Sequence, residues 1–238
     1  MAIGMFLALP PAHAQQAPAA AGPPEPDPWL VKAKVGYLST SGNTDSSSLN
    51  SGFSVEYVSG RWHHILDGLA IYAAQDEETT AEAYSLGWKS EYNWTEHDYL
   101  FARVEWRKDR FSGYDQQLAE TVGYGRRLID TGVHVLSAEI GAGARQSDLA
   151  DGTSEDEAIL RAGLDYRWQF SETADFTQVL AVESGSDNTY IEAVSALSAR
   201  LASRLALVAS YTIKNNSSVP LGTENTDRFT ALSLEYAF

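Results

Sequence analysis

The sequence predicts an all-β chain: a transmembrane, antiparallel up-and-down β-barrel of about 12 strands with N- and C-termini periplasmic. Three observations carry this. From Trp29 onward apolar and polar residues alternate with period two nearly everywhere, and no amphipathic helix of useful length appears. The stretches are joined by connections that are long and short in turn. The chain closes on Leu232, Leu234, Tyr236 and Phe238, alternating with Ser233, Glu235 and Ala237. A closing strand with an aromatic last residue has the form of an assembly signal read by barrel assembly machinery.

The strands follow in order. The first, 29–40, sets Val31, Ala33, Val35 and Tyr37 against Lys32 and Lys34. The second, 48–59, sets Leu49, Phe53, Val55 and Tyr57 against Asn50, Gly52, Ser54 and Glu56. In the third, 62–74, Ile65, Leu69 and Ile71 share a face with Asp67, and that face is turned inward. The fourth, 82–94, is the cleanest, with Tyr84, Leu86, Trp88, Tyr92 and Trp94 on one side. Strands at 99–109, 116–127, 133–145 and 157–170 repeat the pattern, as do 175–184, 189–201, 205–214 and 227–238. An even number suits a single-chain bacterial barrel.

Odd connections are the longer ones: 41–48, 75–81, 110–115, 146–156, 185–188 and 215–226. Even ones are short, which is what two rims facing different compartments produce. Tyr57, Trp62, Trp94, Tyr99, Trp168, Phe170, Phe176 and Phe238 fall beside the short turns. Tyr37, Tyr72, Tyr84, Trp106, Tyr190 and Tyr211 fall toward the long loops. These read as two interfacial girdles, where amphipathic rings favour the headgroup level.

Composition narrows the classes. The hydrophobic fraction of 44% fits a barrel in which only alternate residues meet lipid. No run of apolar residues is long enough for a transmembrane helix. Absence of cysteine excludes disulfides and thiolate metal sites. A net charge of −15 argues against nucleic acid as a partner. Residues 1–14 read as a signal peptide, with an apolar stretch and the cleavage pattern Ala12, His13, Ala14. Its positive n-region is missing, since no Lys or Arg precedes Lys32, which suggests a truncated leader. Residues 15–28 read as a Pro/Ala-rich disordered linker, and 29–238 as the barrel.

The chain also resembles a known family. Gly36 and Tyr37 followed by Ser41, Gly42, Asn43, Thr44 and Asp45 resemble the opening of YdiY-like salt-induced outer membrane proteins, a domain of unknown function. So do Arg110, Phe111, Ser112, Gly113, Tyr114 and Asp115, with Gly123, Tyr124 and Gly125 downstream. Pro220, Thr223 and Asp227 leading to Phe238 fit as well. The resemblance implies a location, the outer membrane of a Gram-negative bacterium, and a barrel. It carries no substrate and no catalytic residue.

Three constellations could hold chemistry. Lys89, Glu91, Arg103, Glu105, Arg107, Glu139, Arg161, Asp165 and Arg167 take the polar parity and are the candidate lumen-lining residues. Arg145, Glu183, Glu192, Arg200, Lys214 and Glu235 share it. They line either a water-filled passage or a lumen plugged by an ion-pair network. Their mixed signs oppose strong ion selectivity. An acidic loop set (Asp76, Glu77, Glu78, Asp148, Asp151, Glu155, Asp156, Glu157, Asp187) has no dedicated cation-site spacing and reads as a solvated rim. His63, His64, His97 and His134 lie near short turns, away from the Ser-rich loops, and read as interfacial anchors rather than catalytic bases.

The leading expectation is a narrow passive channel for ions or small solutes, linked by the resemblance to salt or osmotic stress. The alternative is a structural envelope barrel with a plugged lumen; an interfacial lipid-modifying enzyme comes third. No cofactor or metal is expected. Expected partners are outer-membrane lipid, lipopolysaccharide and the assembly machinery, with the chain a monomer.

Overall fold

Alternation with one apolar and one polar face has a simple outcome in lipid. Every backbone N–H and C=O must find a partner, so the strands close on one another. A computed structural model describes residues 27–40, 46–76, 78–110, 112–220 and 222–238. The signal-peptide and most of the linker expectations lie outside the described residues.

Twelve strands form one closed antiparallel barrel, each paired with its neighbours in sequence and β12 returning to β1. They are β1 Trp29–Thr40, β2 Ser46–Ser59, β3 Trp62–Gln75 and β4 Glu78–Asn93. Next come β5 Asp98–Asp109, β6 Tyr114–Asp130, β7 His134–Leu149 and β8 Ser154–Trp168. The last are β9 Ala174–Ser184, β10 Thr189–Ala202, β11 Leu205–Asn216 and β12 Thr226–Ala237. The outer face exposes the residues that the alternation assigns to it, such as Val35, Leu86, Val122, Ile140, Leu160 and Leu232. One rim carries both termini and connections of two to five residues; the other carries connections of two to nine, of which 217–225 is the longest, so the expected long–short alternation holds only in part.

Two expectations needed correction. The long connections are shorter than expected, because 75–81 and 146–156 contract to 76–77 and 150–153. Glu78 to Ala81 and Ser154 to Asp156 extend β4 and β8 instead. Polar residues weaken strand propensity, but beyond the apolar band the ladder to the neighbouring strand decides. Asp151 stays in its loop, where the Thr153 amide and hydroxyl hold its carboxyl below the usual carboxylate range.

Tyr99 and Tyr190 do not belong to the girdles. Both are buried and face inward, on the parity of Arg103 and Glu192 respectively. Gly125, opposite Tyr99 in the β5–β6 ladder, has no side chain, and the Tyr99 ring lies where its Cβ would be. Phe101 lies likewise on Gly123 and Gly141. The Tyr190 ring packs under the Arg107 guanidinium, 4.1 Å from it. Elsewhere the outer aromatics do cluster near the terminal rim: Trp29 packs tilted against Tyr57 and Trp62 against Tyr92, while Trp168 meets Phe170 edge-on.

Candidate functional site

The lumen has two unlike sides. On β4 to β9, and at the terminal-rim ends of β2 and β3, the inward side chains are long and pair with one another. His63 bridges Glu56 at 3.2 Å and Glu91 at 3.3 Å. Glu91 also takes Lys89 at 2.8 Å and Arg127 at 3.7 Å. Lys89 reaches past two strands to Glu139 on β7, which accepts the Tyr99 hydroxyl at 2.8 Å and Arg161 at 3.0 Å. Arg161 stands 4.0 Å from Glu183, which receives Arg107 at 2.6 Å and Arg145 at 3.7 Å. Arg107 lies 3.3 Å from Glu105, and Glu105 holds Arg103 at 2.7 Å. Arg145 ends the series on Glu157 and on the Asn188 carbonyl at 2.5 Å. From Glu56 to Glu157 acid and base alternate without a break.

This ladder is dry at the loop end. Arg145 is 0% exposed, and a guanidinium removed from water is tolerated only with carboxylates and carbonyls around it. Above it the connections are tied together. The Tyr114 hydroxyl donates to the Ser218 carbonyl at 2.9 Å, Ala150 N–H to Gly113 at 3.0 Å, and the Asn188 amide to Asn216 at 2.8 Å. A cavity of about 20 Å³ beside Arg107, Tyr190, Lys214 and Asp227 has room for one water.

The facing side, β1 to β3 and β9 to β12, is built differently. Its inward positions are mostly small: Gly52 and Ser54, Ala181, Ala196 and Ser198, Ala206 and Ser210, Ala231 and Ser233. Lys34, Asp67, Glu192, Arg200, Lys214 and Asp227 point into the same space, as does Asp165 on the adjoining β8. Among the described residues none of these seven has an ion-pair partner within 4.0 Å. Val179 faces inward and is still 37% exposed. An unpaired charge in a dry core is costly, so these positions suit a hydrated space rather than a packed one.

Of the nine candidate lumen residues, Lys89, Glu91, Arg103, Glu105, Arg107, Glu139 and Arg161 join the ladder. Arg167 sits apart near the terminal rim, 3.9 Å from Asp175, and Asp165 stands opposite Val179 on the small-residue side. Leu232, Leu234 and Tyr236 lie on the outer face of β12, Phe238 packs edge-on to Tyr236, and Phe238 N–H bonds to Val31. Glu157 is no loop carboxylate: it is buried against Arg145. His63 is no interfacial anchor either, because its parity with Asp67 turns it into the ladder. His64 and His134 do face outward, stacked on Trp62 and Trp168. Glu56, His63, Arg127 and Tyr99 are ladder members that the charge inventory left out, although strict parity identifies all four.

Residues 33–238 match the family described as "Protein of unknown function, DUF481". The chain belongs to this family. It is 35% identical to the YdiY protein of Escherichia coli (strain K12) over 211 residues, 88% of this chain and 83% of that protein. Among solved structures, an outer membrane channel from Pseudomonas putida F1 is similar with TM-score 0.51 and 11% identity, covering 93% of this chain and 99% of that one. The NanC porin is similar with TM-score 0.50 and 8% identity, covering 87% and 97%. At these identities the likeness is one of fold: this family member folds as a closed antiparallel β-barrel like those outer-membrane proteins.

Proposed function

We propose that the protein is a narrow passive channel for ions and small solutes, running along the small-residue side of the lumen. The observation that carries this is the set of inward charges on that side with no ion-pair partner, Asp165 standing opposite Val179 among them. The ladder serves as a rigid opposite wall that narrows the bore. The resemblance to YdiY-like salt-induced outer membrane proteins suggests salt or osmotic stress as the setting. Termini at the periplasmic rim suit the short turns, and the acidic loop rim then meets lipopolysaccharide. Leu232, Leu234, Tyr236 and Phe238 are the strand offered to the assembly machinery. A monomer suffices for this path.

The plugged-barrel reading draws on one specific observation, the tied connections over fully buried Arg145. Reversal potentials in a salt gradient separate the two. The mixed signs of the open side predict weak selectivity in the native protein, and Asp67→Lys shifts preference toward anions. Arg127→Gln, on the ladder side, leaves the reversal potential in place. Absence of current from protein whose folding is established by heat-modifiable gel migration would favour the plug.

A further inference from the structure

Charge is kept off the outer wall between the two rims, with one exception. Glu120 stands on β6, opposite Val104 on β5 and Ala144 on β7. It shares the outward parity of Leu118, Val122 and Tyr124, and its side chain is exposed. Along β6 it lies four residues from Gln116, which is bonded to Asp148 at the loop rim, and six from Arg126, which is bonded to Asp98 at the terminal rim. The other outward acids, Lys and Arg among the described residues, such as Glu82, Lys108 and Arg228, stand near strand ends. No hydrogen bond or ion pair reaches the Glu120 side chain from any described residue. Hydrocarbon supplies no partner either, and a polar group left bare there is costly.

The wall beside Glu120 is flat. Ala142 and Ala144 face outward on β7, and Ala158 and Ala162 face outward on β8, in register with the β7 positions. Val122, Ile140 and Leu160 rise from this terrace and are among the most exposed apolar side chains of the barrel. In lipid, small residues mark contacts between protein walls, because they let backbones approach. Whatever meets this face must also satisfy a carboxyl. Copies of one chain insert in the same direction, so a two-fold axis along the membrane normal brings equal residues to equal depth. A carboxyl is its own complement: each O–H donates to the other's C=O, and no donor is left over. We infer that the β6–β8 face is a dimer interface within the membrane, where the Glu120 carboxyls of two copies close on each other over the alanine terrace. The contact leaves each lumen as it is, so it holds or fails apart from the proposed channel.

The chain has no native cysteine, so single cysteines can report the contact. Val122→Cys, two residues from Glu120, is refolded into phosphatidylcholine vesicles and oxidised, with folding checked by heat-modifiable migration. Ala142→Cys is a second reporter, and Val35→Cys on β1, across the barrel, is the control. Disulfide-linked dimer is expected from the first two and not from the control. Adding Glu120→Leu should cut the linked fraction by about tenfold, the effect of losing two hydrogen bonds in lipid. Glu120→Gln, whose amide is also self-complementary, should keep most of it. Linking at 122 and 142 no stronger than at 35 overturns the interface. Linking indifferent to Glu120→Leu overturns the carboxyl pair, as does an equal loss with Glu120→Gln. A reporter that in native membranes links to a different protein, and never to its own copy, assigns the face to that partner and overturns the dimer.

Discussion

Arg145→Met is expected to lower stability by about 3–5 kcal/mol, because it strands Glu157 in a dry site, while Glu183 keeps Arg107. Arg145 is 0% exposed and holds Glu157 and the Asn188 carbonyl, and Glu157 in turn accepts the Asp187 N–H at 2.9 Å. Removing the cation therefore also loosens the β9–β10 connection. The double variant Arg145→Met/Glu157→Leu should recover most of the loss, since apolar packing replaces the pair instead of breaking it. Denaturant midpoints of the refolded barrel measure both variants. A single variant as stable as the native protein would mean that water reaches Glu157 after all.

Gly143→Val should be damaging for a different reason, by about 1–3 kcal/mol or more. A Cβ at Gly143 lands on the carbonyl oxygen of Glu120 and on the backbone of Thr121, with no flexible side chain to move aside. Strands β6 and β7 would have to part in the middle of their ladder. Gly163→Ala is the comparison: its Cβ meets the Arg161 Nη1 at 3.1 Å, and a guanidinium tip can shift. Refolding yield, read as the fraction of heat-modifiable protein, should collapse for Gly143→Val and stay near native for Gly163→Ala. Equal yields would contradict the close strand approach.

The barrel itself is legible in the sequence because lipid imposes one rule on every strand: apolar outward at each second residue. Strand β3 shows how far that rule reaches, since Asp67 alone turns Ile65, Leu69 and Ile71 inward. The rule fails where water replaces lipid. Above the apolar band Glu155 and Asp156 continue β8 despite poor strand propensity, held by their pairing with β7. Tyr99 and Tyr190 were misread from their closeness to strand ends, although parity with Arg103 and Glu192 turns them inward. The candidate site was half legible. Alternation shows which charges face the lumen, but which of them pair depends on distances across the barrel. Lys89 finds Glu139 two strands beyond its nearest neighbour, and nothing in spacing along the chain encodes that. The short β1–β12 ladder, Lys32–Val35 on Leu234–Ala237 among the described residues, was hidden too, because period two says where side chains point and nothing about where a ladder stops.

The most direct measurement of the account is single-channel conductance of the refolded chain in a planar bilayer, native against Val179→Trp. Val179 lies on the side assigned to water, so the native protein should give reproducible steps and the tryptophan should reduce or abolish them while the barrel stays folded. Steps of equal size in both proteins would remove the passage from that side, and no steps in either would leave a barrel whose lumen is plugged.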